Sequence, residues 1–245
     1  MRPLFTLLLL LALAVSSPLH AKMGTERMLQ LQDGGSMKVF VFEGRDGSDG
    51  PWPLVVLMPG GSANEYIARA QFWLGYELAS RGWAIAVPVS PDSSSFFGRN
   101  GERIPEVIDQ LQAMPGIRDG QSLLVGVSNG GSSAIEIAAR DPERYYGVVA
   151  VPGIIRDENT MENRDMGGLP VYIRIGENDL LRWDRRLPDL TRQLTSAGAK
   201  VNARLVPDAN HVFPLDWEEL QPWLDALPVP EMDSAGTGSI NPPEK

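Results

Sequence analysis

The stretch Gln121–Arg140, "QSLLVGVSNGGSSAIEIAAR", decides the fold. Ser122 to Val127 reads as a strand buried on both faces, and Gly130 to Ala139 has the spacing of a helix rich in small residues. Between them one serine stands between two close glycines, Gly126-Val127-Ser128-Asn129-Gly130. A strand-to-helix turn this tight holds its middle residue in a strained conformation with the side chain exposed. Bulky neighbours two residues away would strike the adjoining strand and helix, and glycine at both positions removes that crowding. The turn lifts the Ser128 hydroxyl above the carboxyl edge of a sheet, at a helix N-terminus. The free N–H groups and positive dipole end of that helix face any oxyanion formed there. A serine in such a turn also reads as a plain helix N-cap. The buried strand before it and the small-residue helix after it favour a presented nucleophile.

A serine hydroxyl attacks poorly unless a base takes its proton. The chain has two histidines, His20 and His211. His20 lies in a segment expected to be removed, which leaves His211 in "LVPDANHVFPLD" as the base. That loop follows the last expected strand, at the same carboxyl edge as Ser128. The base needs an acid to fix its tautomer and to stabilise the imidazolium. Asp179, in "VYIRIGENDLL", ends the preceding strand at that edge and is the preferred acid. Asp157, Glu177 and Asp208 are rivals. The order Ser, Asp, His, with separations of 51 and 32 residues, is the one this strand–turn–helix serine predicts.

An oxyanion hole needs two donors fixed before reaction. The backbone N–H of Asn129 is one. The other is expected from "LMPGGSANEY", after the strand Pro53 to Gly60, with Gly61 assigned and Ser62 as its alternative. Phe96, Phe97, Ile154, Ile155 and Trp183 lie on loops near the active edge. They could line a substrate pocket; for the two phenylalanines, packing of the loop onto the core is the competing reading.

Around these residues the chain alternates strands and helices. Strands are expected at Met37–Glu43 (antiparallel), Pro53–Gly60, Trp83–Ser90, Ser122–Val127, Tyr145–Val151, Pro170–Gly176 and Val201–Pro207. Helices are expected at Tyr66–Ser80, near Arg103–Ala113, and at Gly130–Ala139, Arg186–Ser196 and Trp217–Leu227. Repeated βα units of this length predict an α/β fold, a mostly parallel twisted sheet with helices on both faces.

Residues 1–21 read as a signal peptide: Arg2, an apolar run of 12 residues from Leu4 to Val15, and a small residue at Ala21. The run is too short to span a bilayer comfortably. Cleavage there would leave a domain over 22–227 and a Pro-, Gly- and Ser-rich tail over 228–245, expected to be disordered. The expected location is exported, periplasmic or secreted. Losing Arg2 takes the net charge from −9 to −10, which repels nucleic acid and anionic surfaces. With no cysteine and one remaining histidine, disulfides and histidine-rich or thiolate metal sites are excluded, and no cofactor is expected.

The motifs "GVSNGG", "GENDLL" and "DANHVFPLD", with "LMPGGSAN" upstream, resemble the α/β-hydrolase fold over roughly residues 39–227. Within it the compact chain is similar to phospholipase/carboxylesterase and feruloyl-esterase-like serine esterases. The resemblance implies a serine hydrolase of small-molecule carboxylic esters, working through Ser128, His211 and Asp179 and an acyl-enzyme. Many members have His-Gly where this chain has Pro59-Gly60. Gly153 to Leu169 is short, which predicts no large lid. Two other readings stay open: a peptidase on the same scaffold, and a catalytically silent binding protein of the cell envelope.

Overall fold

A computed structural model describes residues 24–230; the expected signal peptide and most of the expected tail lie outside the described residues. The elements are strands β1 (Thr25–Gln30), β2 (Ser36–Phe42), β3 (Trp52–Met58), β4 (Ala84–Pro88), β5 (Ile117–Gly126), β6 (Tyr145–Ala150), β7 (Pro170–Gly176) and β8 (Lys200–Val206). The helices are α1 (Glu65–Ala70), α2 (Phe72–Ala79), α3 (Arg99–Glu102), α4 (Ile104–Gln112), α5 (Asn129–Ala138), α6 (Leu187–Ser196) and α7 (Trp217–Asp225). The strands form one sheet in the order β1-β2-β4-β3-β5-β6-β7-β8. β2 pairs antiparallel with both β1 and β4. Every pairing from β4 through β3 to β8 is parallel.

The apolar run of β3 is buried along its whole length because the sheet is covered on both sides. Alternate side chains go to opposite cores. Leu54, Val56 and Met58 pack with the apolar faces of α4, α5 and α6. Val55 and Leu57 pack with those of α1, α2 and α7. Parallel strands joined by helices bring all the loops that follow strands to one edge of the sheet.

One expectation is corrected and two elements are additional. β1 is an additional edge strand in which only Leu29 is buried, so it carries no alternating apolar signal. The helix expected over Tyr66–Ser80 is two helices, interrupted at Gln71 (φ −103°, ψ 7°). The helix near Arg103 is preceded by α3, a single turn. Between β6 and β7 lies only a 3₁₀ turn, Glu158–Met161, and no large lid.

A buried charge sits where β7 meets α7. Arg174 of β7 is 2% exposed. It donates to the carboxylate of Glu219 in α7, to the Asn202 side-chain oxygen at 2.9 Å and to the carbonyls of Ile173 and Asn202 at 2.7 and 3.0 Å. Glu219→Ala would leave that cation without its counter-charge. Breaking such a pair is strongly destabilising, by about 3 kcal/mol, or roughly 10 °C in Tm for a domain of this size. Denaturant and thermal unfolding measure this; an unchanged midpoint would show that the pair contributes nothing.

Candidate active site

β5 ends at Gly126 and α5 begins at Asn129, which leaves only Val127 and Ser128 in the turn. Ser128 has φ 57° and ψ −120°, a conformation that L residues rarely adopt. The two glycines permit it for different reasons. A Cβ on Gly126 would fall 2.2 Å from the Gly130 carbonyl oxygen, and one on Gly130 would fall 1.9 Å from that of Met58 in β3. The first spacing lets the helix start fold back on its own strand; the second lets it lie against the neighbouring strand.

Ser128, Asp179 and His211 converge at the carboxyl edge, on the loops after β5, β7 and β8. His211 Nε2 is 2.8 Å from Ser128 Oγ. His211 Nδ1 is 2.8 Å from Asp179 Oδ2. Asp179 is 2% exposed, so its carboxylate needs partners. Its other oxygen, Oδ1, accepts the Leu181 N–H at 2.7 Å. The two loops are tied together where Asn178 N–H donates to the Ala209 carbonyl at 2.8 Å. Trp183 packs at right angles to the His211 ring, centroids 4.9 Å apart. The hydroxyl, imidazole and carboxylate thus form one chain of hydrogen-bonding groups. Such an arrangement can take a proton from the serine and hold the resulting imidazolium.

The rivals of Asp179 lie elsewhere. Glu177 and Asp208 are exposed and engage each other, the Glu177 carboxylate accepting the Asp208 N–H at 3.3 Å. Asp157 is exposed on the loop after β6.

Gly61 and Asn129 both border the serine turn. Gly61 is exposed with φ 55°, and its carbonyl accepts from the Asn129 side-chain amide at 3.0 Å. Among the described residues, neither the Gly61 nor the Asn129 backbone N–H donates to another group of the chain. Gly60 N–H donates to Gln71 Oε1 at 3.1 Å. Sequence reasoning missed Gln71 and the Asn129 side chain. Neither interaction has a local signal, because each depends on how a loop meets an element distant in sequence.

Of the pocket candidates, Phe96 is corrected. It is 1% exposed and belongs to the core beside α4 and α5. The loop is pulled inward by Asn100, whose amide donates to Asp92 Oδ1 at 2.7 Å and to the Ser95 carbonyl at 3.1 Å. Ile154 and Ile155 are likewise buried in the core. Phe97 is half-buried, with the Arg156 guanidinium 4.3 Å from its ring centroid. The residues that do stand out beside the site are aliphatic: Leu180 and Leu181 next to Asp179, and Val212 next to His211, all more than half exposed. A cavity of about 600 Å³ between the Glu158–Met161 turn and α6 shares no residue with this site. Among the described residues no group of three His, Cys, Asp or Glu side chains is placed to hold a metal ion. No helix among them is long and apolar enough to cross a membrane.

Residues 97–224 match the model of the Dienelactone hydrolase family, just over half of the chain. No curated protein matches the chain significantly. Solved structures are similar in fold. A thermostable esterase is 16% identical, with a TM-score of 0.59 over 76% of this chain and 55% of its own. A putative dipeptidyl aminopeptidase IV from Bacteroides ovatus ATCC 8483 is 14% identical, with a TM-score of 0.67 over 84% of this chain and 36% of its own. A dienelactone hydrolase from Anabaena variabilis ATCC 29413 is 17% identical, with a TM-score of 0.63 over 84% of this chain and 99% of its own. The chain therefore spans about half or less of the first two and nearly all of the third. The resemblance to α/β-hydrolase esterases read from the sequence holds at the level of fold and family.

Proposed function

This chain belongs to the dienelactone hydrolase family, and from that premise we propose that it is an exported serine hydrolase of carboxylic esters. The observation that carries the reading is the unbroken run of two 2.8 Å contacts from Ser128 through His211 to Asp179. Ser128 Oγ attacks the ester carbonyl carbon while His211 Nε2 takes its proton. The resulting oxyanion is held by the backbone N–H groups of Asn129 and Gly61. The tetrahedral intermediate collapses as the imidazolium gives its proton to the departing alcohol, leaving an acyl-Ser128 ester. Water then attacks, His211 takes a proton from it, and the acid leaves as Ser128 recovers its hydrogen. Asp179 orients the imidazole and stabilises the imidazolium.

No group other than these side chains and backbone donors is needed for the reaction. The exposed Leu180, Leu181 and Val212 at the rim fit an ester whose acyl or alcohol part is apolar. Export rests on the sequence of residues 1–21, and N-terminal sequencing of the mature protein should begin within a few residues of Lys22. A protein retaining Met1 after secretion would count against that part of the proposal.

A panel of p-nitrophenyl esters, acetate to octanoate, run beside aminoacyl p-nitroanilides tests the reaction class. The account expects ester turnover, with kcat/KM rising along the first few carbons. Faster cleavage of the anilides would make the protein a peptidase, and turnover of neither would leave a silent binding protein.

A further inference from the structure

Three hydrogen bonds hold the Gly60–Gly61 peptide and the two peptide units that flank it. Gly60 N–H donates to Gln71 Oε1 at 3.1 Å. The Gly60 carbonyl accepts Ala63 N–H at 2.9 Å, closing a tight turn. The Gly61 carbonyl accepts from Asn129 Nδ2 at 3.0 Å. A trans peptide points its N–H opposite to its C=O. With the Gly60 carbonyl turned toward Ala63, the Gly61 N–H faces away from that turn, and it has no partner among the described residues.

The loop also lies directly against the serine turn. A Cβ on Gly60 would sit 3.3 Å from Ser128 Cβ and 2.7 Å from the Val127 carbonyl oxygen. On the other side, an added Cβ on Gly61 would meet nothing within 4 Å. Two successive glycines resist a peptide flip weakly. The turn bond from Ala63 N–H holds this peptide from within the loop, and its two flanking peptide units need holding from outside. Two side chains meet that need, Asn129 from the first turn of α5 and Gln71 from the break between α1 and α2.

We propose that Asn129 and Gln71 are positioning residues for the oxyanion hole, fixing the Gly61 N–H relative to Ser128 through their side chains. The inference rests on the ester-hydrolase reading above. Asn129 then has two separable roles. Its backbone N–H is one donor of the hole, and its side chain sets the peptide that carries the other. Both donors are therefore referred to the same residue, the one bonded to the nucleophile. The interruption of the helical stretch falls on Gln71, the residue whose amide reaches the loop.

The test compares wild type with Asn129→Ala, Gln71→Leu and Gln71→Glu. The Ala variant keeps the backbone donor and removes only the clamp. The Glu variant keeps an acceptor for Gly60 N–H, and the Leu variant does not. Active sites are counted by fluorophosphonate titration, so that loss of folded protein does not register as loss of rate. Each is assayed for p-nitrophenyl acetate hydrolysis and for inhibition by a trifluoromethyl ketone, whose tetrahedral adduct places an oxyanion in the hole. Misplacing a catalytic group by about 1 Å can cost on the order of 100-fold. Asn129→Ala and Gln71→Leu should lower kcat by about 10- to 100-fold with KM nearly constant. The inhibition constant should rise by the same factor, and Gln71→Glu should recover most of the loss seen with Leu.

Unchanged kcat and inhibition constant per titrated site in Asn129→Ala would overturn the proposal. Should Asn129→Ala fail to fold, the Gln71 pair decides: equal losses in Leu and Glu would overturn it, and recovery in Glu would support it. A wild type that neither labels nor hydrolyses the ester overturns the underlying reading and the clamp with it, before any variant is compared.

Discussion

Ser128→Ala will lower kcat/KM toward p-nitrophenyl acetate by at least about 10⁴-fold and leave the fold intact. The size follows from the role assigned to the hydroxyl. In serine hydrolases with a hydroxyl–imidazole–carboxylate set, loss of the nucleophile removes the covalent route, and only binding and oxyanion stabilisation remain. The fold survives because the substitution removes one half-buried hydroxyl whose bond is to His211. The left-handed backbone at position 128 is retained with alanine, at the strain the serine already bears. Circular dichroism and thermal unfolding should therefore overlay wild type while turnover disappears. His211→Ala should fall to the same floor. The double variant Ser128→Ala/His211→Ala should fall no further, because the two groups act as a unit. A double variant slower by the product of the single losses would mean that serine and histidine serve separate steps.

Asp179→Asn should cost about 10⁴-fold in kcat, close to the loss when an asparagine holds the imidazole in the wrong tautomer. The carboxylate is 2% exposed and meets two donors, His211 Nδ1 at 2.8 Å and Leu181 N–H at 2.7 Å. An asparagine amide can satisfy one of them only, since its nitrogen is itself a donor. If its oxygen keeps Leu181 N–H, its NH₂ faces Nδ1 and drives the proton to Nε2. The histidine then points an N–H at Ser128 and cannot accept from it. Glu177→Gln, Asp208→Asn and Asp157→Asn should leave turnover close to wild type, because these side chains are exposed and outside the hydrogen-bonded run. A large loss at any of the three, with Asp179→Asn active, would reassign the acid. Steady-state kinetics on the four variants separates the two outcomes.

The meeting of Ser128, Asp179 and His211 at one edge was legible in the sequence because the fold fixes the order and edge of the loops that carry them. Buried apolar runs such as β3 and β5 identify central strands, and parallel strands send their following loops to one side. Once Ser128 is placed in a strand–turn–helix, the histidine and acid are sought on later loops of the same edge, and few residues qualify. Tertiary approach was less legible. The apolar spacing of α1 and α2 continues through Gln71, so the break appears only where its side chain bonds Gly60. Phe96 and Phe97 are neighbours of one type. One is in the core and the other lies under Arg156, and only the hydrogen bonds of Asn100 and the packing of the loop decide which. β1 gave no period because a polar edge strand buries a single side chain.

The most direct measurement is the rate and position of fluorophosphonate labelling in wild type and in His211→Ala, read by peptide mass spectrometry. The account predicts one adduct per chain, on Ser128, formed at least about 10³-fold more slowly when the imidazole is absent. Labelling of Ser128 at an equal rate in both proteins, or no adduct on Ser128 in wild type, would contradict it.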